Sequence, residues 1–524
     1  MTVTKSRGDE VNIQQVLGCI GQPVVRGSRV QRGYSGRLLP HFKKGDIGPY
    51  GGGFVKNSFA TGMNPIEFFF HAAGSRDNLV DTAIRTADSG YFYRRLVYAL
   101  QDSKVEYDGT ARDMYGYILQ FKYGGDGIHP GKSYHGKLTD YESLFYELII
   151  RREEKGIKVN IPAKWPDYYD KAIEVLKREI SLKVSMDVKE LFEKMLEKGY
   201  VLTKEETDEF VQRLLRKYIR AQIDPNEASG TVAAQSICEP ATQLVLRTFH
   251  WAGVAAFSIT SGLPRLKEIF DAVSTPKTPI IDIYLTDEYR WDENKAQLFR
   301  KKITPIRITN IVESDGFFLS ATRRRVVIKL DREKLKTYNL TVNNIVEKIA
   351  KIKNISIERP DEFTIEVIPR ENVPLTEVYK KIQKIIFSGI EKLGRSQVVK
   401  TKYDENRYEY RIIVEGSDLS PLVYLDGVDM TRTIPNNIHT IAKILGIEAA
   451  RFYIALEAKR TLDIYGLDVD MRHILYAADA VTRNGIIEAI GRYGISGKKL
   501  SFLARAAFEE TGKQIFLGAK AGMY

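Results

Sequence analysis

The chain has 524 residues, too many for one ordinary hydrophobic core, so three or more domains are expected. Its 43% hydrophobic and 28% charged residues are those of a soluble globular protein, and its two cysteines, Cys19 and Cys238, exclude a disulfide framework and a four-cysteine zinc site. The 79 basic and 67 acidic residues give a net charge of +12 spread along the chain, which suits an acidic partner such as nucleic acid without requiring one.

The first residues carry no apolar signal segment, and no apolar run reaches the roughly 18 residues of a membrane span. A reducing cytoplasm and no membrane partner are therefore expected. The first block, to about Tyr123, is glycine-rich and irregular around one long helix signal. Asn64 suits an N-cap, Pro65 the first turn, and Glu67 completes a capping-box pattern. The helical pattern runs to about Gln101, and roughly 36 residues at about 1.5 Å each would span roughly 54 Å. Gly74 and Gly90 lie inside it, each costing about 1 kcal/mol relative to alanine. A long helix that tolerates them is expected to bridge a gap and to bend there. His71, directly after three phenylalanines, reads as a core or interface residue. The Gly51–Gly53 loop lacks the Lys-Ser/Thr of a phosphate-binding P-loop.

The second block, about 124 to 228, opens with the loop Gly124 to Gly131. It continues with amphipathic helices at Trp165–Leu182 and Val188–Lys198 and ends in a turn, Asp224 to Gly230. Next comes the run Val232 to Gly253. If it is helical, Gln243, Leu246, Arg247 and His250 fall at i, i+3, i+4 and i+7 and share one stripe. An amide, an apolar contact, a guanidinium and an imidazole on one face can grip a nucleotide at its sugar, base and phosphates. Glu239-Pro240 before this helix and Gly253 after it read as hinges.

The third block reads as strands at Pro279–Leu285, Arg325–Leu330, Phe363–Ile368, Gln397–Thr401 and Tyr408–Val414, with helices at about 341–352 and 375–392. That order is compatible with a ferredoxin-like module. The fourth block, from about Gly416, is mostly helical, with one helical region from Asn437 to Tyr465. Asp468 and Asp470 form an Asp-x-Asp pair, but a two-metal site needs a third carboxylate and none is evident, so no metal site is assigned. The glycine-punctuated basic stretch with Arg483, Arg492, Lys498 and Lys499 suits a phosphate backbone or a solvated face. No Ser-His-Asp or Cys-His pattern stands out.

The run Ala233 to Gly253 closely resembles the trigger loop of the largest subunit of multisubunit RNA polymerases. Met63 to Tyr91 looks like that subunit's bridge helix. Asn12 to Gln15 and Arg37 to Phe42 resemble the segments before it, while Asp468 to Ile474 and Leu503 to Glu510 resemble the C-terminal switch. The resemblance keeps family order. It implies an α+β multidomain protein, largely helical, with a long bridge helix, a mobile trigger helix-loop and a ferredoxin-like α/β jaw module, and no self-contained polymerase barrel. The implied segments are 1–61 (funnel and pore), 62–123 (bridge helix and following strands), 124–228 (helical cleft), 229–272 (trigger loop), 273–415 (jaw-like module) and 416–524 (cleft and clamp switch).

The same resemblance assigns roles. Leu246 would pack on the incoming base, Gln243 contact the ribose, Arg247 sit near sugar and phosphates, and His250 reach the β-phosphate. Thr86, Ala87, Asp88 and Tyr91 would lie beside the templating base pair. Arg483, Arg492 and Arg505 would contact the template backbone. The family's metal-binding N-A-D-F-D-G-D motif is absent, so Mg²⁺ would be held by a partner polypeptide, and this one by itself should not polymerise. The implied form is archaeal: the C-terminal A″ polypeptide of the largest subunit, with the split displaced upstream of the bridge helix. Its partners would be the N-terminal A′ polypeptide, the second-largest (B) subunit, other polymerase subunits, template DNA, RNA and nucleoside triphosphates. The sequence departs from the family at Cys238 (Gly), Val245 (often Thr) and Ala73 (Met). Two other readings are a catalytically degenerate, nucleic-acid-binding paralogue and a free-standing nucleotide-phosphate enzyme.

Overall fold

A computed structural model describes residues 10–25, 28–30, 35–154, 156, 165–247, 262–320, 324–338, 340–370, 373–404 and 407–523. The chain divides into two compact units. One comprises residues 1–267, 455–480 and 490–524, and the other residues 268–454 and 481–489. The class is α+β, with helices dominating, small antiparallel sheets and no barrel. Among the described residues no helix is long and apolar enough to cross a membrane.

The first unit is built on one helix of 36 residues, Pro65–Leu100. Its start follows the local code. The Asn64 side chain accepts from the Glu67 N–H at 2.8 Å, and the Glu67 carboxylate accepts from the Asn64 N–H at 3.1 Å. Glu67 is buried and also accepts from Lys56 N–H at 3.0 Å and from the Asn57 side-chain amide at 2.8 Å. Burial opposes its charge most strongly, but these donors together outweigh burial and hold the carboxyl below its ordinary range. Because the folded pKa is depressed, this contribution is full above the ordinary glutamate pKa and is lost as pH falls through the lower folded value. Asn64→Ala is expected to cost about 1 kcal/mol. Glu67→Gln keeps the shape but removes the acid dependence, so melting temperatures of the two proteins should converge as pH falls below about 4.

Helices Tyr141–Glu154, Asp167–Glu179, Leu182–Glu197 and Lys204–Ala221 bury a common core that includes Phe145, Tyr169, Leu176, Phe192, Phe210 and Leu214. Tyr169 and Phe192 stack with centroids 4.2 Å apart. The expected helix at Trp165–Leu182 stops at Glu179, and Ser181 caps the next helix by accepting from Val184 N–H.

The glycine-rich loop after Tyr123 is a structural joint. Arg472 donates to both Asp126 carboxylate oxygens, at 2.9 and 2.6 Å, and to Asp470 at 2.8 Å. Arg472 and Asp126 are almost fully buried, so each neutralises the other in a dry setting. A Cβ on Gly124 would lie 2.6 Å from Arg472 Cγ, and its φ is +60°, so only glycine fits.

In the second unit, strands Ser396–Asp404, Arg407–Glu415, Ile280–Tyr284 and Ile434–Pro435 form one antiparallel sheet in that order. Ile281, Ile283, Ile412 and Val414 point to a core shared with Phe299 and Ile303 of helix Glu293–Ile303. A second sheet has the order Ile355–Asp361, Thr364–Pro369, Arg325–Leu330, Val312–Ser320, again antiparallel throughout. Helices Val342–Ala350 and Leu375–Lys384 pack their apolar stripes on it through Ile345, Ile349, Val378 and Ile382.

Four expectations change here. The second sheet is two hairpins joined through their inner strands, with chain order strand-strand, helices, strand-strand, helix. The βαββαβ order of a ferredoxin-like module is not followed. The strand Val312–Ser320 escapes a period-2 reading because Asp315, at φ +62°, and Gly316 interrupt it and shift its register. The helix expected over 375–392 ends at Lys384, and Ile386–Ser388 pairs with Ile306–Arg307. The region expected as one helix from Asn437 to Tyr465 breaks at Gly446, φ +97°, into Ile438–Leu445 and Ile447–Asp463.

Candidate nucleotide and nucleic-acid site

The long helix is held at its two ends and bare between them. Near its start, Phe70 packs with Phe42 and Val55, and Gly74 gives close passage to Pro23, where a Cβ would approach within 3.1 Å. Towards its end, Phe92, Leu96, Ala99 and Leu100 are buried. From Arg76 to Asp88 no described side chain is buried, a stretch of about 20 Å at the helical rise. Leu79 is 70% and Ile84 61% exposed there. Thr82 and Thr86 each donate a hydroxyl to the carbonyl four residues back, at 2.8 and 2.7 Å, an arrangement that loosens and bends helices. Gly90 has no atom within 4 Å of an added Cβ, so packing does not require glycine there.

The four residues expected beside a template lie on or at the edge of this bare stretch. Thr86 and Ala87 are exposed. Asp88 pairs with Lys267 at 3.3 Å. Tyr91, 46% exposed, donates to Glu509 at 2.7 Å. That hydrogen bond, followed by burial, raises the phenol pKa above its ordinary value. One helical turn on, Arg94 donates to the carbonyls of Phe508 and Ala507 at the C-terminus of helix Phe502–Phe508, and lies over the Tyr98 ring at 5.0 Å. The bare stretch thus borders a clasp between the long helix and the C-terminal segment.

Arg492 belongs to the same clasp. Its guanidinium is half-exposed, 3.6 Å from Glu509 and 3.3 Å from Glu510. Arg505 is turned inward: it donates to the carbonyls of Lys499 and Leu500 and to the Gln514 side chain. In this conformation its donors hold the loop to the helix after it. Lys499 is likewise buried, 2.5 Å from Asp102 just past the long helix, and pins the segment from below. Arg483 is exposed and lies in the second unit. Glu509→Gln should lower stability by about 1 kcal/mol or less, since the bond is partly solvated. The same change should return the Tyr91 phenol towards its ordinary titration range, read by NMR of ring-labelled protein. An unchanged Tyr91 titration would show that Glu509 does not hold it.

The helix on which Gln243, Leu246 and Arg247 of the expected nucleotide-gripping stripe fall runs Ser229–Arg247. It packs along the long helix and is rooted at its end. A Cβ on Gly230 would lie 2.0 Å from the Leu100 carbonyl oxygen and 2.3 Å from Ser103 Oγ. Ser229 donates to the buried Tyr476 hydroxyl at 3.0 Å. Ala233, Ala234, Ile237, Cys238 and Ala241 are buried. Pro240 therefore lies inside this helix rather than before it. Proline removes one helical hydrogen bond, but the buried face on both sides of it keeps the turn in place. Cys238 fills a dry position, and burial pushes its thiol up to about 12. Gln243, Leu246 and Arg247 fall on the last helical turns, with their side chains outside the described residues; His250 and Gly253 lie outside them altogether.

The acidic pair Asp468 and Asp470 serves ion pairs, Asp468 with Lys459 at 3.0 Å and Asp470 with Arg472. His473 beside them is buried, which pushes its imidazole down to about 4. Among the described residues no three His, Cys, Asp or Glu side chains gather where they could hold a metal ion. Sequence reasoning missed Glu509, Arg94, Lys267 and Gly230. The first three act across long sequence separations that no local pattern carries, and Gly230 reads locally only as the end of a turn.

The family model described as RNA polymerase Rpb1, domain 5, matches residues 62–503, and that of RNA polymerase Rpb1, domain 4, matches residues 1–55. The chain is similar to the DNA-directed RNA polymerase III subunit RPC1 of Homo sapiens, at 34% identity over 100% of its own length and 40% of that protein. It is also similar to the counterparts in Schizosaccharomyces pombe (30% identity, 99% and 41%) and Saccharomyces cerevisiae (28%, 98% and 41%). The chain spans about two fifths of the length of these curated relatives.

Proposed function

The chain belongs to the RNA polymerase Rpb1 family, as a C-terminal part of a largest subunit of DNA-directed RNA polymerase, and on that premise we propose that it forms the nucleotide-facing wall of the polymerase active centre. One observation carries this reading. A 36-residue helix is anchored at both ends and bare in the middle, and a second helix bearing Gln243, Leu246 and Arg247 is rooted at its C-terminal end.

In this reading the long helix is the bridge helix, crossing a cleft filled by nucleic acid, with Thr86, Ala87, Asp88 and Tyr91 facing the templating base pair. The helix Ser229–Arg247 and the residues after it are the trigger loop. Leu246 packs on the base of the incoming nucleoside triphosphate, Gln243 holds the ribose, Arg247 lies near the phosphates, and His250 orients the β-phosphate. Arg483 and Arg492 meet the template backbone, and Arg505 does so if it leaves its carbonyl partners. The bare stretch, with its back-bonded threonines and Gly90, bends as the template advances.

Residues of this chain do not make the metal centre of that reaction. The aspartate motif lies outside these 524 residues, and Mg²⁺ held there supplies charge for phosphoryl transfer. In the archaeal two-polypeptide form the motif sits on the separate A′ polypeptide, with the B subunit and the other polymerase subunits completing the assembly. The test is reconstitution with a partner carrying that motif, measuring RNA extension on a primed template. Extension by the pair and none by either member alone is expected. RNA extension by this chain unaided would overturn the division of labour, while an assembled but inactive pair would favour a degenerate, nucleic-acid-binding paralogue.

A further inference from the structure

The helical core of the first unit carries a cationic pocket that the reading above does not use. Helix Lys204–Ala221 places Arg213, Arg216, Lys217 and Arg220 at i, i+3, i+4 and i+7, on one stripe. Arg213 is neutralised by Glu209 and by Glu147. The next three are not paired with a carboxylate. Lys217 donates to the Thr139 hydroxyl at 2.7 Å, and neither Arg216 nor Arg220 has a hydrogen-bond or ion-pair partner among the described residues.

The opposite wall is the segment from Pro130 to Thr139. Between them lies a cavity of about 330 Å³, lined by Lys132, Ser133, Tyr134, Lys217 and Arg220 over a floor of Leu138 and Ala221. Two carboxylates temper the site. Asp224 lies 3.1 Å from Lys132, and Asp140, whose own side chain is occupied by Ser143, lies within the field of Lys217. Set against the lining cations Lys132, Lys217 and Arg220, they leave one positive charge unmatched, and Arg216 lies on the same stripe outside the cavity.

A basic last turn by itself answers the helix dipole. It does not explain why Lys217 and Arg220 face a concave wall that bears another lysine and a half-exposed tyrosine ring. A guanidinium with all five donors unused matches a phosphate in two-point contact, ammonium groups add point charge, and a tyrosine face can stack a base.

We propose that this pocket binds the phosphates of a nucleotide, either free or within a single strand of nucleic acid, with Arg220 gripping phosphate oxygens and Tyr134 flanking the base. The test uses the full chain with two probes: inorganic pyrophosphate by calorimetry, and a fluorescent oligodeoxythymidylate by anisotropy. Arg220 touches no other described residue by hydrogen bond or ion pair, so Arg220→Ala should keep the wild-type melting temperature. It should weaken at least one probe about tenfold, and Arg220→Lys should recover part of the loss. Loss confined to pyrophosphate assigns a free nucleotide, loss confined to the oligonucleotide assigns a strand, and Tyr134→Ala should weaken the oligonucleotide alone. Arg178→Ala, an exposed arginine paired with Glu179 on another helix, serves as the control. Unchanged affinity for both probes in Arg220→Ala, or an equal loss in Arg178→Ala, overturns the proposal.

Discussion

His250→Ala in the reconstituted polymerase should slow nucleotide addition by about 10²-fold or more, the usual effect of removing a group aimed at charge that develops in the transition state. Leu246→Ala should cost about 1.5–3 kcal/mol, the worth of burying a leucine side chain, which corresponds to roughly 10- to 100-fold in rate. The two losses should divide differently between kinetic parameters. In the proposed reading Leu246 packs against the base before as well as during the reaction, so its loss should raise KM more than it lowers kcat. In the same reading His250 acts mainly as the phosphates react, so its loss should fall on kcat. Gel filtration of both variants with the partner polypeptide should match wild type, because neither residue belongs to a described core. Wild-type rates in both variants would remove the grip on the nucleotide from the mechanism.

Gly230→Ala should lower both stability and activity. The added methyl carbon would meet the Leu100 carbonyl oxygen at 2.0 Å and Ser103 Oγ at 2.3 Å. The carbonyl is backbone at the end of the long helix, and Ser103 Oγ already donates to it at 2.6 Å, so neither yields cheaply. Overpacking of this kind costs about 1–3 kcal/mol, occasionally more. The only relief is to lift helix Ser229–Arg247 from its root, which displaces the nucleotide-gripping stripe at its far end. Gly90→Ala is the contrasting substitution. Nothing lies near its added Cβ, and helix propensity should raise stability by up to about 1 kcal/mol. If bending at Gly90 serves translocation, the stiffer variant should be the more stable and the slower enzyme. A Gly230→Ala protein with unchanged melting temperature and rate would show that the two helices are not rooted together.

What the sequence made legible is what acts over a few residues. The capping box at Asn64 and Glu67 and the extent of the long helix needed only local spacing, and both appear where expected. Strands with clean alternation, such as Thr364–Pro369, were also legible. Errors arose where a distant contact outweighs local preference. Pro240 stays inside a helix because the residues around it are buried. Val312–Ser320 is a strand despite Asp315 and Gly316 because its partner strand holds it. Lys499 reads as a phosphate contact or a solvated face, yet Asp102 pairs with it in a buried position, and Arg505, given by the resemblance as a template contact, donates to carbonyls of its own chain. The Asp-x-Asp pair, to which no metal site was assigned, finds its ion-pair partners only in the folded chain, in Lys459 and Arg472. The nucleotide-gripping stripe itself rests on the resemblance and on its helical spacing.

The anchored helix reverses the ordinary order in which a helix comes apart. A free helix frays inward from its termini, whose hydrogen bonds are the weakest held. Here the termini are tied into packed cores, while no described side chain of the centre is buried. Opening the central turns forfeits a few residues of intrinsic helix propensity, a kcal/mol or so in all and about twice thermal energy, beside the cost of interrupting a formed helix. The cores at either end need not unfold for that to happen. A local order–disorder transition enclosed by rigid supports is the expected consequence, and in the proposed reading nucleic acid lying across the centre would decide which side of it the helix occupies.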